Sequence, residues 1–100
     1  MIYENAYLWI KEGKDQEFEK EVESGSSILA SVEGCVSIEL FRDVETPGAY
    51  LLRIGWQTLA HHVEHFPTTP QAPKFAQVVE KYFAREPVLR HFDSVPVWGV

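Results

Sequence analysis

The chain has 100 residues, 45% of them hydrophobic, and a formal net charge of −6, which predicts one globular domain spanning residues 1–100 and argues against a nucleic-acid partner. Its single cysteine excludes an intrachain disulfide, and no apolar run approaches the roughly 18 residues that a membrane helix needs. Because the first residues resemble neither a signal peptide nor a transit peptide, we expect a cytoplasmic protein with no membrane partner.

The first predicted strand covers residues 3–10, which are rich in aromatic and aliphatic side chains. Side chains alternate between the two faces of a strand. One face therefore carries Tyr3, Asn5, Tyr7 and Trp9, and the other carries Glu4, Ala6, Leu8 and Ile10. Neither face is polar enough to be left in water, so we expect helices to cover one and a second sheet to cover the other.

The first predicted helix covers residues 15–32. Between its acidic residues, apolar side chains recur at helical spacing, namely Phe18, Val22, Leu29 and Val32. Gly34 stands where such a helix would end. The Gly25-Ser26-Ser27 segment is unfavourable in a helix, so we expect a kink or an early break there.

A β-hairpin is predicted next, because residues 35–42 alternate between apolar and polar side chains and residues 45–48 give a turn signal. The second strand of the hairpin ends at Trp56. Matching the apolar faces places Val36, Ile38 and Leu40 on the same side as Leu52, Ile54 and Trp56. The same register puts Glu39 beside Arg53 on the opposite face.

The segment from Trp56 to Phe66 is the most chemically suggestive part of the chain, because it contains three of the four histidines. Imidazole is the only side chain whose unperturbed pKa lies near neutrality. Thr58 offers a hydroxyl for an N-cap. A short helix is predicted from the helical spacing of Leu59, Val63 and Phe66.

The C-terminal third contains a helix and a strand. Three prolines within residues 67–73 predict a stiff loop or an irregular start of a helix. Residues 75–83 then form an amphipathic pattern, and residues 88–93 are typical of a last strand. The tail, residues 95–100, is too apolar for a free end, so we expect it to pack on another subunit.

The order of elements is strand, helix, strand, strand, helix pair, strand. This order predicts an α+β fold of the ferredoxin-like split βαβ type, with a four-stranded antiparallel sheet and helices on one face. Since the other sheet face is also apolar, two sheets packed face to face in a homodimer would cover it.

Four motifs in this order resemble the antibiotic biosynthesis monooxygenase domain family, whose fold is the dimeric α+β barrel. They are Gly13-x-x-x-x-Phe18, Trp56-Gln57-Thr58-Leu59-Ala60-His61, the stretch from Phe75 to Tyr82-Phe83, and Pro87-x-x-x-His91-Phe92. The resemblance covers nearly the whole chain. It implies a cleft between helices and sheet in which a small aromatic or quinol-type substrate reacts with dioxygen, in several members with no metal or flavin.

Within this family, the cofactor-free branch has a tryptophan about where Trp56 stands and an aromatic hydroxyl about where His62 stands. The haem-degrading branch is similar around Glu4-Asn5, but the tryptophan that it needs on the helix is His65 here. The resemblance therefore favours an enzyme without a cofactor over one that degrades haem.

The candidate site follows from that resemblance. Its catalytic residues would be a histidine base, His62 or His65, with Asn5 and Trp56 as hydrogen-bond donors. The substrate would lie against five aromatic walls, namely Tyr7, Trp9, Phe66, Phe75 and Tyr82. The alternative is a binding or assembly module of the same fold, without catalysis, in which the protein's own side chains fill this cleft. An open apolar pocket would favour the enzyme and a filled one the module.

The histidine segment also fits the H-x-x-E-H pattern of one class of zinc protease, through His61, Glu64 and His65. The motif is short, no separate acidic ligand is indicated, and a chain of this length is too small to build a peptide cleft. We therefore expect no metal site.

Overall fold

The computed structural model describes all of residues 1–100. Its strands are β1 (Ile2–Trp9), β2 (Cys35–Arg42), β3 (Ala49–Trp56) and β4 (Val88–Asp93), and its helices are α1 (Asp15–Ala30) and α2 (Gln71–Val79). Three short turns complete it: a π-helical turn at His61–His65, called the π-turn below, and 3-10 turns at Phe66–Thr68 and Glu80–Tyr82. The strands form one antiparallel sheet in the order β2-β3-β1-β4. The predicted ferredoxin-like α+β fold is confirmed.

One face of the sheet carries the core. On β1 the side chains of Glu4, Ala6 and Leu8 are buried, whereas those of the residues between them are only half-buried, as the alternation predicted. A cluster of 14 buried residues joins this face to α1 and α2. The largest of its fully buried side chains are Trp56, Phe18, Leu8 and Leu29.

The β2–β3 hairpin has the predicted register over most of its length, with Ile38 opposite Ile54 and Glu39 opposite Arg53. The prediction for Val36 is wrong. A bulge between Cys35 and Ser37 shifts the pairing, and Val36 is exposed instead of facing the core. Val36 is the extra residue of this bulge, so it has no partner on β3 and its side chain leaves the expected face.

The expected kink in α1 is also wrong, because the helix runs unbroken from Asp15 to Ala30. Gly25 is buried, and a Cβ atom added there would lie 3.0 Å from Cγ1 of Val78 on α2. The glycine therefore allows the two helices to approach closely, and this packing outweighs its cost of about 1 kcal/mol in a helix. The helix ends at Ala30, before the predicted Val32, and the loop that follows turns toward β2 at Gly34, whose φ is +88°.

The proline-rich segment is an irregular start of a helix rather than a loop. A 3-10 turn carries Pro67, and Pro70 is the N-cap of α2. Pro73 lies in the first turn of α2, where a missing backbone N–H costs no intrahelical hydrogen bond. The helix accordingly begins four residues before Phe75.

The sheet face opposite the helices is called the outer face. Tyr3, Asn5, Tyr7 and Trp9 are half-buried on it, although no helix covers them. The Oδ1 atom of Asn5 is buried without a hydrogen-bond partner. Residues 95–100, beyond β4, are exposed, and Trp98 is 79% exposed. No helix is long and apolar enough to cross a membrane.

Candidate functional site

The candidate site is built around the indole of Trp56 at the end of β3. Trp56 lies opposite Ile2 on β1 and opposite Cys35 on β2, and its side chain is 0% exposed. Its Nε1–H donates a hydrogen bond of 3.0 Å to Oε1 of Glu4. A buried indole N–H needs such a partner, so the carboxyl group fixes the ring.

Glu4 is the one buried charged residue of the chain, at 6% exposure. It lies on the core face of β1, two residues from Ala6 in a run of otherwise apolar inward side chains. Burial raises the pKa of its carboxyl group above the ordinary value, and the hydrogen bond from Trp56 offsets only part of that rise. The carboxyl group is thus poised to hold a proton more readily than an exposed glutamate.

His62 lies on the inward side of the π-turn and stacks on Trp56, with ring centroids 5.2 Å apart and planes at 15°. Its Nε2 atom is 3.1 Å from the same Oε1 of Glu4 that Trp56 contacts. Burial, and secondly the charge of His91, lower the pKa of His62 to about 4. The imidazole is therefore neutral near pH 7.

His91 completes the group from β4, where it pairs directly with Glu4 across the strands. Its Nε2 atom is 2.7 Å from Nδ1 of His62, so one of these two nitrogens carries a hydrogen and the other accepts it. His91 is half-buried. We call the four residues the buried cluster: Glu4, Trp56, His62 and His91.

The buried cluster has the geometry of a proton path. Three titratable groups are linked in a line, from His91 through His62 to Glu4, with each step within hydrogen-bond reach. His91 is the end nearest the surface, and Glu4 is the buried end. Such a line can take up one proton at the surface and share it with a carboxyl group inside.

The π-turn is held in place by its neighbours. The Oγ1 atom of Thr58 accepts the backbone N–H of His61, which confirms the predicted cap. Gln57 donates its backbone N–H to the carbonyl of Gly34 at 2.8 Å. A Cβ atom at Gly34 would lie 2.3 Å from Cγ of His61, so this glycine allows the turn to pack against the loop before β2. π-helical turns are rare and occur often at functional sites.

The helical spacing predicted for this segment gave an inward face that is wrong for Leu59 and Val63 and right for Phe66. Leu59 and Val63 are exposed, whereas His62 and Phe66 point at Trp56. His65 lies on the outward side with its side chain 41% exposed, and its Nε2 is 3.9 Å from Glu33.

Of the predicted aromatic walls, Phe66 alone contacts the indole, with ring centroids 5.5 Å apart. Phe75 of α2 is buried in the hydrophobic core cluster. Tyr82 lies at the far end of the sheet, where its hydroxyl donates to Glu17 at 2.7 Å. Phe83, next to it, pairs with Ile10, whereas Trp56 pairs with Ile2, which separates the two ends by about 25 Å.

The placement of Asn5, Tyr7 and Trp9 in the same cleft as Trp56 is wrong. All three point to the outer face, because they alternate with Glu4, Ala6 and Leu8 along β1. There the hydroxyl of Tyr7 donates to Asp43, and the rings of Tyr7 and Trp9 meet edge to face. The structure thus groups Trp56, His62 and Phe66 on the core face.

Sequence reasoning missed Glu4 and His91 as members of the site. A signal for Glu4 was available, because the alternation of β1 places this one carboxylate on the apolar face. His91 could be found only from the β1–β4 register, which sets it opposite Glu4.

No sizeable cavity opens at the buried cluster. None of the four sizeable cavities is lined by Trp56, His62 or Phe66. The largest, about 620 Å³, lies between α1 and β2. No group of three or more His, Cys, Asp or Glu side chains is arranged to hold a metal ion.

A second polar group lies at the other end of β3. Glu19 of α1 accepts two hydrogen bonds from Arg42, at 2.6 and 2.9 Å, and one from the hydroxyl of Tyr50 at 2.6 Å. These partners, Arg42 first, lower the pKa of Glu19 to about 2. We call these three residues the Glu19 triad; its carboxylate is ionised and is a poor base.

Comparison with known proteins adds to this geometry. Residues 1–81 match the family model described as antibiotic biosynthesis monooxygenase. An uncharacterised Bacillus subtilis protein, YczJ, is 30% identical over 95 residues, which is 95% of this chain and 100% of YczJ.

Solved structures agree with the fold. A candidate antibiotic biosynthesis monooxygenase from Bordetella bronchiseptica superposes with a TM-score of 0.90 at 26% identity, covering 95% of this chain and 97% of that one. Another from Caulobacter crescentus gives a TM-score of 0.79 at 23% identity, covering 95% and 90%.

Proposed function

Since the chain belongs to the antibiotic biosynthesis monooxygenase family, we propose that it oxidises a small aromatic molecule of the quinol or anthrone type with dioxygen, without a metal or flavin. For an anthrone-type substrate, a ring CH₂ group becomes C=O. One oxygen atom of O₂ enters the product and the other leaves as water with the two methylene hydrogens. The electrons come from the substrate, so the reaction consumes no other reductant.

In this proposal the task of the protein is to remove a proton from the substrate. The electron-rich anion, rather than the neutral ring, reacts with dioxygen, so a positioned base accelerates the step. The observation that carries the proposal is the buried cluster, in which two imidazoles in contact with each other lie beside a carboxyl group of raised pKa.

Each member of the cluster has a proposed role. His91, the half-buried end, takes the substrate proton on its outer nitrogen. Its Nε2–H would donate to Nδ1 of His62, whose Nε2 atom lies 3.1 Å from Oε1 of Glu4 and can pass a proton to it. Charge developing on the imidazoles is thereby shared with the carboxylate. Trp56 holds that carboxylate in place through its indole N–H.

Oxygen uptake tests the proposal, measured with a panel of quinols and anthrone-type phenols. His62→Ala removes the middle of the proton path and should lower the rate about 100-fold or more. His65→Ala is the matched control, because it removes the same side chain from the outward side of the same π-turn. Equal rates in the wild type and both variants would overturn the assigned roles.

A second function, a non-catalytic binding or assembly module, is favoured by one observation. The hollow beside Trp56 is filled by the protein's own rings, His62 and Phe66. For such a module we expect no oxygen uptake with any member of the panel and no change of uptake in His62→Ala. Turnover that depends on His62 would exclude it.

We propose further that the protein is a homodimer whose two outer faces pack together. The half-buried aromatic rings of β1 and the unpartnered Oδ1 of Asn5 support this arrangement, because a covering sheet would bury the rings and supply a donor to the amide oxygen. Arg90, which pairs with Asn5 on β4, carries such donors on the same face. Light scattering on Asn5→Lys and wild type tests it, since a buried ammonium group beside Arg53 and Arg90 should weaken the dimer.

A further inference from the structure

The π-turn carries two histidines, His61 and His65, that do not belong to the buried cluster. Their ring centroids are 6.4 Å apart. Both side chains line one cavity of about 420 Å³. Of the other residues around this cavity only Ala60 is hydrophobic, and the rest are Glu33, Thr58, Glu64 and Thr68. Imidazole, carboxylate and hydroxyl groups are thus gathered at one place outside the buried cluster.

The fold adds to this pair a carboxylate that the sequence did not indicate. Glu33 lies in the loop before β2, and its Oε2 atom is 3.9 Å from Nε2 of His65. The loop is held against the π-turn at Gly34, which accepts the backbone N–H of Gln57 and leaves room for the ring of His61. Two histidines and one carboxylate form a known set of protein ligands for Zn²⁺. Since Glu33 is far from the pair in sequence, spacing alone does not reveal it.

One ring nitrogen of His61 is already held by a neighbour. Its Nδ1 atom is 2.7 Å from Oγ1 of Thr58, so Nε2 is the nitrogen left to bind an ion. A histidine that binds a metal usually makes a hydrogen bond through its other ring nitrogen, and this bond fixes the orientation of the ring. The same hydroxyl oxygen accepts the backbone N–H of His61. Thr58 therefore positions both the turn and the imidazole.

As they stand, the three side chains do not surround a single point. Two imidazoles that share one Zn²⁺ have ring centroids about 5 Å apart, because each Zn–N bond is about 2 Å long. The rings of His61 and His65, at 6.4 Å, therefore have to approach by little more than about 1 Å. The side chains of His65 and Glu33 are 41% and 78% exposed, so both can change rotamer without disturbing the core.

We propose that His61, His65 and Glu33 bind one Zn²⁺ ion per chain, with water in the fourth position. Such an ion joins the π-turn to the loop before β2 and so stabilises the turn that places His62 on Trp56. Mg²⁺ prefers a shell of oxygen ligands, so the two imidazoles favour Zn²⁺ over it. The site shares no residue with the buried cluster. The ion takes no part in the proposed oxidation, and the two proposals stand or fall independently.

Competition with a chromophoric zinc chelator tests the site. The wild-type chain should take up one Zn²⁺ ion, and an excess of Mg²⁺ should not displace it. Loss of a ligand in His65→Ala or in Glu33→Gln should weaken the zinc affinity about tenfold or more. Neither side chain is buried, so both variants should fold as the wild type does, and circular dichroism checks this.

Two matched controls separate this site from its neighbours. His62→Ala removes an imidazole from the inward side of the same π-turn, and Glu64→Gln neutralises the other carboxylate around the cavity. Both should keep the zinc affinity within about threefold of that of the wild type. Loss of binding in His62→Ala but not in His65→Ala would place the ion at the buried cluster and overturn the proposal. Equal affinities in all the variants would mean binding elsewhere on the chain and would overturn it too.

Two further measurements identify the ligands and the effect on the fold. With Cu²⁺ as the probe, electron paramagnetic resonance should show coupling to two imidazole nitrogens in the wild type and to at most one in His65→Ala. Saturating Zn²⁺ should raise the midpoint of thermal unfolding of the wild type by about 5 °C or more, and that of His65→Ala by much less. Coupling to fewer than two nitrogens in the wild type, or equal shifts of the midpoint in both proteins, would contradict the proposed site.

Discussion

The two ends of β3 carry polar groups on the same face of the same strand, yet they differ in chemistry. At the Tyr50 end, a guanidinium group holds the carboxylate of Glu19 ionised beside an open groove. At the Trp56 end, the carboxyl group of Glu4 has only an indole and a neutral imidazole as partners. A charged partner lowers a pKa and burial without one raises it, so only the Trp56 end is suited to accept a proton.

The largest difference between the ends is expected in activity. Glu4→Gln keeps the shape of the side chain but removes the group that shares the proton, so kcat for oxygen uptake should fall about 100-fold or more. Glu19→Gln, the same change at the other end, should leave kcat within about twofold. Equal losses in both variants would contradict the assignment of catalysis to the Trp56 end.

The next largest difference is expected in stability, between two glycines of positive φ in the loops that flank α1. In Gly34→Ala the new Cβ would lie 2.3 Å from Cγ of His61. Because this is a clash, we expect a loss of about 3 kcal/mol in the free energy of unfolding. Gly13→Ala, at φ +77° in open space, carries only the backbone cost of about 1 kcal/mol. Urea denaturation measures both, and equal losses would show that the π-turn does not depend on Gly34.

The titratable groups at the two ends of β3, His62 and Glu19, should also affect stability in separate pH ranges. The folded pKa of His62, about 4, lies below its ordinary value of 6.5, so the unfolded chain binds more protons between these values. The free energy of unfolding should therefore fall by up to about 3 kcal/mol from pH 6.5 to pH 4. His62→Gln should flatten this slope. The contribution of Glu19, with its lowered pKa of about 2, should be lost only below about pH 4.5.

The smallest expected difference concerns stability near neutral pH. Glu19→Gln weakens a partly exposed ion pair and should cost about 1 kcal/mol. Glu4→Gln should cost nothing or stabilise slightly, because an ionised carboxyl group at that buried position is unfavourable and an amide still accepts from Trp56. Thermal unfolding at pH 7 compares the two, and a larger loss in Glu4→Gln would mean that its charge stabilises the fold.

Much of the fold could be predicted because period-two and helical patterns report burial directly. The faces of β1 and the pairing of Glu39 with Arg53 follow from alternation alone. The site was harder to predict from the sequence, because the π-turn changes the helical period and brings His62 rather than Val63 to the core. The grouping of Asn5 with Trp56 was wrong because the resemblance gave Asn5 a role without regard to the face of β1 on which its side chain lies.

Local rules also failed where distant residues decided the outcome. Gly25 predicted a break in α1, but its partner is Val78, more than fifty positions away. The bulge that exposes Val36 depends on how two strands meet, and neither strand alone encodes it. His91 acquires its place only through pairing with Glu4.

The most direct test of the central claim is the absorbance of a bound quinol or anthrone under anaerobic conditions at pH 7. If the buried cluster takes the substrate proton, wild type and His65→Ala should produce the absorption band of the substrate anion, and His62→Ala and Glu4→Gln should not. An anion band of equal strength in all four proteins, or no band in the wild type with substrate bound, would contradict the account.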